Sequence, residues 1–96
     1  MAHHKSAKKR IKTNEKRRLY NRSIRSRVRT YTRYIFEAIE AVEKVEDKAA
    51  LRPEVEEKFR KFVSEYQKAV SKGVFVKNTA SRKISRMSAA MNKAFA

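Results

Sequence analysis

Arginine recurs along one part of the chain at the spacing of a helix face. Five arginines step by four, three, four and four residues: Arg18, Arg22, Arg25, Arg29 and Arg33. The planar guanidinium of arginine donates two parallel hydrogen bonds to a phosphate, and these bonds are strong because the acceptor is charged. Such a row can follow the backbone of a nucleic acid. We call these residues the arginine row.

A similar pattern occurs near the C-terminus, where Arg82, Arg86 and Lys93 fall opposite Ile84 and Met91 on a helical wheel. An ordinary solvated surface would explain the middle of the chain, which has acid–base pairs four residues apart. These are Glu54 with Lys58, Glu56 with Arg60, and Glu57 with Lys61. That explanation fails for the two basic segments because acids are almost absent there. Phosphate binding is the better interpretation of both.

The charge of the 96-residue chain is concentrated at its ends, where its net +16 arises. Residues 1–34 carry 13 basic residues and one acid, residues 35–71 carry 7 basic and 9 acidic residues, and residues 72–96 carry 6 basic residues and no acid. A block asymmetry of this kind indicates a basic arm that acts on a nucleic acid or an anionic membrane.

Helices must position these residues, since apolar side chains recur at steps of three or four in three stripes. The stripes are Tyr20, Ile24, Val28, Tyr31, Ile35, Ile39 and Val42; Val55, Phe59, Phe62, Tyr66 and Val70; and Ala80, Ile84, Met87, Met91 and Phe95. Pro53 suits the first turn of the second helix, although Asp47 offers a cap for a start near Lys48. Gly73 suits the end of that helix, and Asn78 is the expected N-cap of the third.

The chain has one Gly and one Pro, which leaves almost no residues for hairpin turns and argues against a multistranded β fold. We predict an all-α fold, a three-helix bundle whose long basic first helix projects beyond the core. Upstream of the first stripe, the same face carries Arg10 and Arg17, which are costly to bury unpaired. We therefore divide the chain into a basic N-terminal arm continuing as the first helix, residues 1–19, and the bundle, residues 20–96. Residues 6–18 should be frayed until a partner orders them.

Polar residues set among the basic ones can bond to sugars, phosphates or base edges. They are Ser6, Asn14, Asn21, Ser23 and Ser26. Tyr20 could stack on a base, but it continues the apolar stripe, and we expect it to pack at the edge of the core.

Other chemistry has little support. The chain has no Cys and two His, so a disulfide, a zinc site and a thiol nucleophile are excluded. His3 and His4 could bind copper or nickel beside a free amine, but adjacent residues in a terminus are more often bystanders, and we predict no metal. The single Gly excludes a phosphate-cradling loop. We predict no catalytic residue, no cofactor and no small-molecule substrate.

Two segments resemble the signatures of a known family. Lys5-Ser6-Ala7-Lys8-Lys9-Arg10, followed by Asn14-Glu15-Lys16-Arg17-Arg18, is similar to the start of the bacterial small-subunit ribosomal protein family called S-twenty. Its second signature resembles Lys72-Gly73-Val74 with Lys77-Asn78, Ala80, Arg82 and Ser85-Arg86. The resemblance implies a cytoplasmic, ribosomal three-helix bundle that binds 16S ribosomal RNA directly and early in assembly, in the lower body of the subunit. The long first helix would lie between RNA segments of different domains.

Carried over residue by residue, the resemblance implies RNA contacts at Lys5, Ser6, Lys8, Lys9, Arg10, Lys16, Arg17, Arg18, Lys77, Asn78, Arg82 and Arg86. The basic faces and their polar neighbours add Lys12, Asn14, Asn21, Arg22, Arg25, Arg29, Arg33 and Lys83. The chain departs from the family pattern at His3, His4, Val76, Thr79 and Ser81. The segment 42–57 is longer than usual for the family, so we expect an extended first turn.

The expected partners are 16S ribosomal RNA and other small-subunit components, with no membrane and no homo-oligomer. A DNA-compacting or other non-ribosomal nucleic-acid-binding helical protein is one alternative, since residues 21–25 echo a zipper basic region. No leucine heptad follows them, and Pro53 interrupts any continuous helix. A cationic membrane-active helix is the other alternative. Its usual density of Leu and Trp is missing, and no apolar run approaches the roughly 18 residues of a membrane span.

Overall fold

The computed structural model describes residues 3–96, with side chains from Ser6 onward. It contains three helices, α1 (His3–Glu43), α2 (Lys48–Ser71) and α3 (Lys77–Phe95). No strand occurs within the described range. The predicted all-α fold with three helices and a long first helix is confirmed.

The three apolar stripes meet in a single core. Its buried members are Val28, Ile35, Ala38, Ile39, Val42, Val55, Phe62, Tyr66, Ala69, Ala80 and Ala94. The Tyr66 ring lies between two other aromatic rings, with centroids 5.0 Å from Phe62 and 5.5 Å from Phe75. All three stripes supply core residues, so the periodicity of the sequence identified the inward face of each helix correctly.

The first stripe is wrong at its first position. Tyr20 is 52% exposed, and Ile24 is where α1 begins to pack against the core. Every described side chain from residue 6 to residue 20 is exposed, although α1 is helical throughout this segment. The long helix gives the molecule extents of 71 × 20 × 15 Å. Nearly half of α1 can therefore be approached from all sides.

The second helix begins earlier than its proline indicated. Of the two predicted starts, the one at Lys48 after Asp47 is confirmed, and the one that placed Pro53 in the first turn is wrong, since Pro53 lies inside the helix. Asp47 holds the N-cap position but makes no side-chain hydrogen bond there. Only residues 44–47 separate α1 from α2, so the expected extended turn is absent, and residues 48–57 belong to α2. Inside the helix, Pro53 has no amide to donate to the Ala49 carbonyl, and its ring crowds that carbonyl.

Gly73 ends α2, as predicted. Its φ of 75° lies in the left-handed region, which residues with a Cβ disfavour. The Gly73 amide donates to the Val70 carbonyl over 3.0 Å, and the Val74 amide donates to the Ala69 carbonyl over 2.9 Å. These two bonds form a Schellman ending, which satisfies carbonyls at the helix end and reverses the chain. Asn78 is not the N-cap of α3, because that helix starts at Lys77 after Val76.

Shortening a core side chain should lower the free energy of unfolding far more than shortening a side chain of the arm. Ile35 is 0% exposed and Ile11 is 64% exposed. Ile35→Ala should lower the free energy of unfolding by about 2–5 kcal/mol because it opens a cavity. Ile11→Ala removes the same atoms from the surface and should change it by less than about 0.5 kcal/mol. Urea unfolding followed by far-UV circular dichroism measures both. Equal costs would contradict the assigned core.

Over residues 6–18 the helical arm has no tertiary packing to hold it, since all of these side chains are exposed. We expect its amides, over residues 6–18, to exchange with solvent almost unprotected in the free protein, while those over residues 28–42 are protected. Hydrogen exchange read by NMR or mass spectrometry measures this. Protection of the arm equal to that of the core would show that it is ordered before binding.

Candidate nucleic-acid interface

The arginine row lies on the outer side of α1. Arg18, Arg22, Arg25 and Arg29 are all exposed. Among the described side chains, none of these four forms an ion pair. Their charge is therefore not neutralised within the protein, and their guanidinium donors are available to phosphate.

Arg33 is the last member of the row and differs from the others. Its Nε lies 3.9 Å from Glu37 Oε1, and its guanidinium carbon lies 5.7 Å from the centroid of the Tyr34 ring. An exposed ion pair of this kind contributes little and is screened by salt, so Arg33 can still exchange Glu37 for a phosphate. The row thus ends where the acidic part of α1 begins.

The arm continues the basic surface toward the N-terminus. All the described residues predicted there are exposed: Ser6, Lys8, Lys9, Arg10, Lys12, Asn14, Lys16, Arg17 and Arg18. The side chain of Lys5 lies outside the described residues. Asn21 is half-buried, at the point where α1 reaches the bundle. A ligand along the arm would therefore meet donors around the whole helix.

The third helix presents a second basic surface. Lys77, Asn78, Arg82, Lys83 and Arg86 are all exposed. Arg82 and Arg86 point away from the buried Ala80, whereas Lys77 and Lys83, three residues from Ala80, flank it. Within the described residues, none of these basic side chains has an acidic partner. Every described residue of the predicted site except Asn21 thus lies in the exposed class, on two helices.

Arg27 has a structural role that the sequence analysis missed. Its Nε lies 2.8 Å from Oε2 of Glu65, whose side chain is only 10% exposed. The hydrogen bond from Arg27 and the opposite charge of Glu65 raise the pKa of the Arg27 guanidinium above its ordinary value. Because the pKa of Arg27 is raised in the folded state, the contribution of the Arg27–Glu65 pair to stability is complete at neutral pH. It is lost only in strongly alkaline solution, where Arg27 would lose its proton. Arg27 therefore ties α1 to α2.

The acidic residues lie around the turn between α1 and α2, since eight of the ten fall between residues 37 and 57. Two of the expected pairs on α2 are present, Glu54 with Lys58 at 3.2 Å and Glu57 with Lys61 at 3.6 Å. The third expectation is wrong, since Glu56 pairs with Arg52 at 3.3 Å and not with Arg60.

A groove of about 180 Å³ lies between α1 and α2 at the acidic end. Ala38, Leu51 and Val55 line it together with the carboxylate-bearing Glu37 and Glu54. The one basic side chain in the described lining, Lys58, pairs with Glu54 at 3.2 Å, so the groove has no excess positive charge to attract a phosphate. The surface suited to a polyanion is therefore the other part of the molecule, the arm with the outer faces of α1 and α3.

Among the described side chains, no three His, Cys, Asp or Glu residues are grouped so that they could hold a metal ion. His3 and His4 fall outside that set, because their side chains are not described. Across residues 3–96, no helix is long and apolar enough to cross a membrane.

An all-α bundle with a basic arm and two acid-poor basic faces is typical of nucleic-acid-binding proteins. The family model of ribosomal protein S20 matches residues 2–92. A small ribosomal subunit protein bS20 from Corynebacterium aurimucosum is 48% identical over 93 residues, which cover 97% of this chain and 98% of the relative. A protein of the same name from Ruegeria sp. is 46% identical over 89 residues, which cover 93% of each chain. Another, from Geobacter metallireducens, is 40% identical over 92 residues, which cover 96% of this chain and 97% of the relative. The chain belongs to the ribosomal protein S20 family, as the two signatures indicated.

The ion pair between α1 and α2 should matter more for stability than the arginine row. In Arg27→Ala, the mostly buried Glu65 carboxylate keeps only Lys68, whose Nζ lies 3.8 Å away. The thermal unfolding midpoint should fall, because a carboxylate that stays buried without its main partner is unfavourable. Arg25→Ala removes the same charge from an exposed position and should leave the midpoint nearly unchanged. Adding Glu65→Gln to Arg27→Ala should restore part of the loss. Equal midpoints for the two single variants would contradict this role of Arg27.

Proposed function

We propose that this protein is a structural constituent of the small (30S) ribosomal subunit and that it binds 16S ribosomal RNA directly during assembly. Its relatives are named small ribosomal subunit proteins, and family membership supports the same location for this chain. The observation that carries the RNA contact is the exposed arginine row, four of whose five members form no ion pair among the described side chains, and which continues into the arm on one helix. Other small-subunit components are its further neighbours, and no homo-oligomer is needed.

The proposed mechanism is neutralisation of phosphates that would otherwise repel one another. RNA segments brought together in a folded subunit carry one negative charge per nucleotide. The arm carries basic residues on every side, so it can contact separate RNA segments at once. The basic face of α3 can bind a further segment. Phosphate contacts fix the position and orientation of the protein without selecting a base sequence. The role is structural, with no catalytic step and no cofactor.

The DNA-compacting alternative depends on the same basic residues, so it must be distinguished by comparing the affinity for RNA with the affinity for DNA. Affinity should be higher for a 16S ribosomal RNA transcript than for duplex DNA of equal length at matched salt. Sedimentation of the protein from its own cells at low salt gives an independent test. Co-migration with the small subunit supports the proposal, and recovery with chromosomal DNA contradicts it.

Binding should depend steeply on salt. If about eight phosphates are neutralised, the slope of log affinity against log salt concentration should be roughly −6 to −7. Fluorescence anisotropy or filter binding with labelled 16S ribosomal RNA across a salt series measures it. A slope shallower than about −2 would be incompatible with neutralisation as the mechanism.

Removing two members of the arginine row should weaken binding without unfolding the protein. Arg22→Ala with Arg25→Ala removes two phosphate contacts, so the salt slope should become shallower by roughly 1.4–1.8. The free energy of unfolding should change by less than about 1 kcal/mol, since both side chains are exposed.

The matched control is Arg60→Ala with Lys61→Ala, which removes the same charge from exposed positions of α2. This control should leave the salt slope unchanged. An equal effect of the two double variants would mean that net charge, and not the row, determines binding.

A further inference from the structure

Tyr20 lies where α1 passes the end of α2. Its side chain is 52% exposed, on the basic half of α1. Lys72, the C-cap residue of α2, places its Nζ 5.6 Å from the centroid of the Tyr20 ring. This distance is within the range of a cation–π contact. An aromatic ring with an ammonium group over it therefore occupies the corner between the arm and the bundle.

Core packing does not explain this ring. Tyr66, which does belong to the core, is 7% exposed, and the packed stripe of α1 starts with Ile24. About half of the surface of Tyr20 remains open even with Lys72 over the ring. A flat ligand that also carries negative charge would use both groups.

We propose that Tyr20 and Lys72 bind one unpaired nucleotide of an RNA, whose base stacks on the tyrosine ring and whose phosphate is neutralised by the ammonium group. This inference rests on the proposed function above. A base inside a duplex is stacked on both faces, so a nucleotide in a bulge, a loop or a strand end is required. Stacking on an aromatic ring accepts any of the bases.

The surroundings favour a nucleotide over an isolated base. Lys16 is exposed and lies one helical turn before Tyr20 on the same side of α1, where it can meet a neighbouring phosphate. The backbone of Lys72 is held in place, since its amide donates to the Lys68 carbonyl over 3.0 Å and the Schellman ending at Gly73 follows it. Only the backbone end of the Lys72 side chain is fixed in this way, and its flexible four-carbon stem lets the ammonium group follow a phosphate.

Substitution of Tyr20 tests the stacking. With a 16S ribosomal RNA transcript as the probe, Tyr20→Ala should weaken binding about 5- to 150-fold and leave the salt slope unchanged, because stacking releases no counterion. Tyr20→Phe retains the ring and should bind within about twofold of the unmodified protein. With a fully paired RNA duplex as the probe, Tyr20→Ala should have no effect. Lys72→Ala should weaken binding to the transcript and make the slope shallower by about 0.7–0.9.

Tyr34→Ala is the matched control, because Tyr34 is also exposed, at 45%, and also has a cation over its ring, but it lies beside Glu37. It should bind the transcript normally, and all variants should share one thermal midpoint. The inference is overturned if Tyr20→Ala binds the transcript normally, if it weakens duplex binding equally, or if Tyr20→Phe is as defective as Tyr20→Ala. Failure of the unmodified protein to bind the transcript would instead overturn the proposed function, and this inference with it.

Discussion

The packing of α1 against the other two helices fixes the direction of every side chain on the first helix. Ile35 and Val42 are completely buried, so the rotation of α1 about its axis is determined there. The helix is continuous from His3 to Glu43, and each residue adds a turn of about 100°. The arginine row therefore faces outward because of residues up to several turns away. Turning it inward would pull Ile35 and Val42 out of the core.

The repulsion between like charges is concentrated in parts of the molecule that contribute little to its stability. Along α2, acids and bases are close enough to pair, and Glu65 is held between Arg27 at 2.8 Å and Lys68 at 3.8 Å. Basic residues without partners are concentrated on the arm and on outer faces. Repulsion within the arm opposes only the helix of the arm, because no core residue depends on it. The protein can thus keep a strongly unbalanced surface on a small bundle.

Periodicity predicted the helices and their inward faces because a core position depends on the local pattern of apolar residues. It was wrong at Tyr20, where the pattern continues but α2 ends at Ser71 and leaves the ring without a covering helix. An apolar stripe therefore marks the side of a helix that can be buried, and the length of the helix packed against it decides how far along the stripe the residues are buried. The prediction of cap residues failed in a similar way, since Asn78 has the chemistry of an N-cap but α3 starts two residues earlier than that cap would require.

Electrostatic pairing was predictable only within a helix, and only in part. Glu56 has an arginine four residues away on either side, and the sequence gives no reason to prefer Arg52 over Arg60. The Arg27–Glu65 pair joins residues far apart in the chain, so it requires the tertiary structure. The basic site was more accessible to prediction, because exposure follows from position opposite the core. Its RNA contacts remain a prediction.

The separation of charge along a 71 Å molecule gives it a large electric dipole, with the arm at the positive end and the α1–α2 turn at the negative end. In the field of a polyanion such a molecule experiences a torque as well as an attraction. If its partner is an RNA, as proposed, this torque favours an approach in which the arm leads and the acidic turn is held away. The field acts over a screening length of about 8–10 Å at physiological salt. Orientation is thus decided partly in solution, before the first hydrogen bond forms.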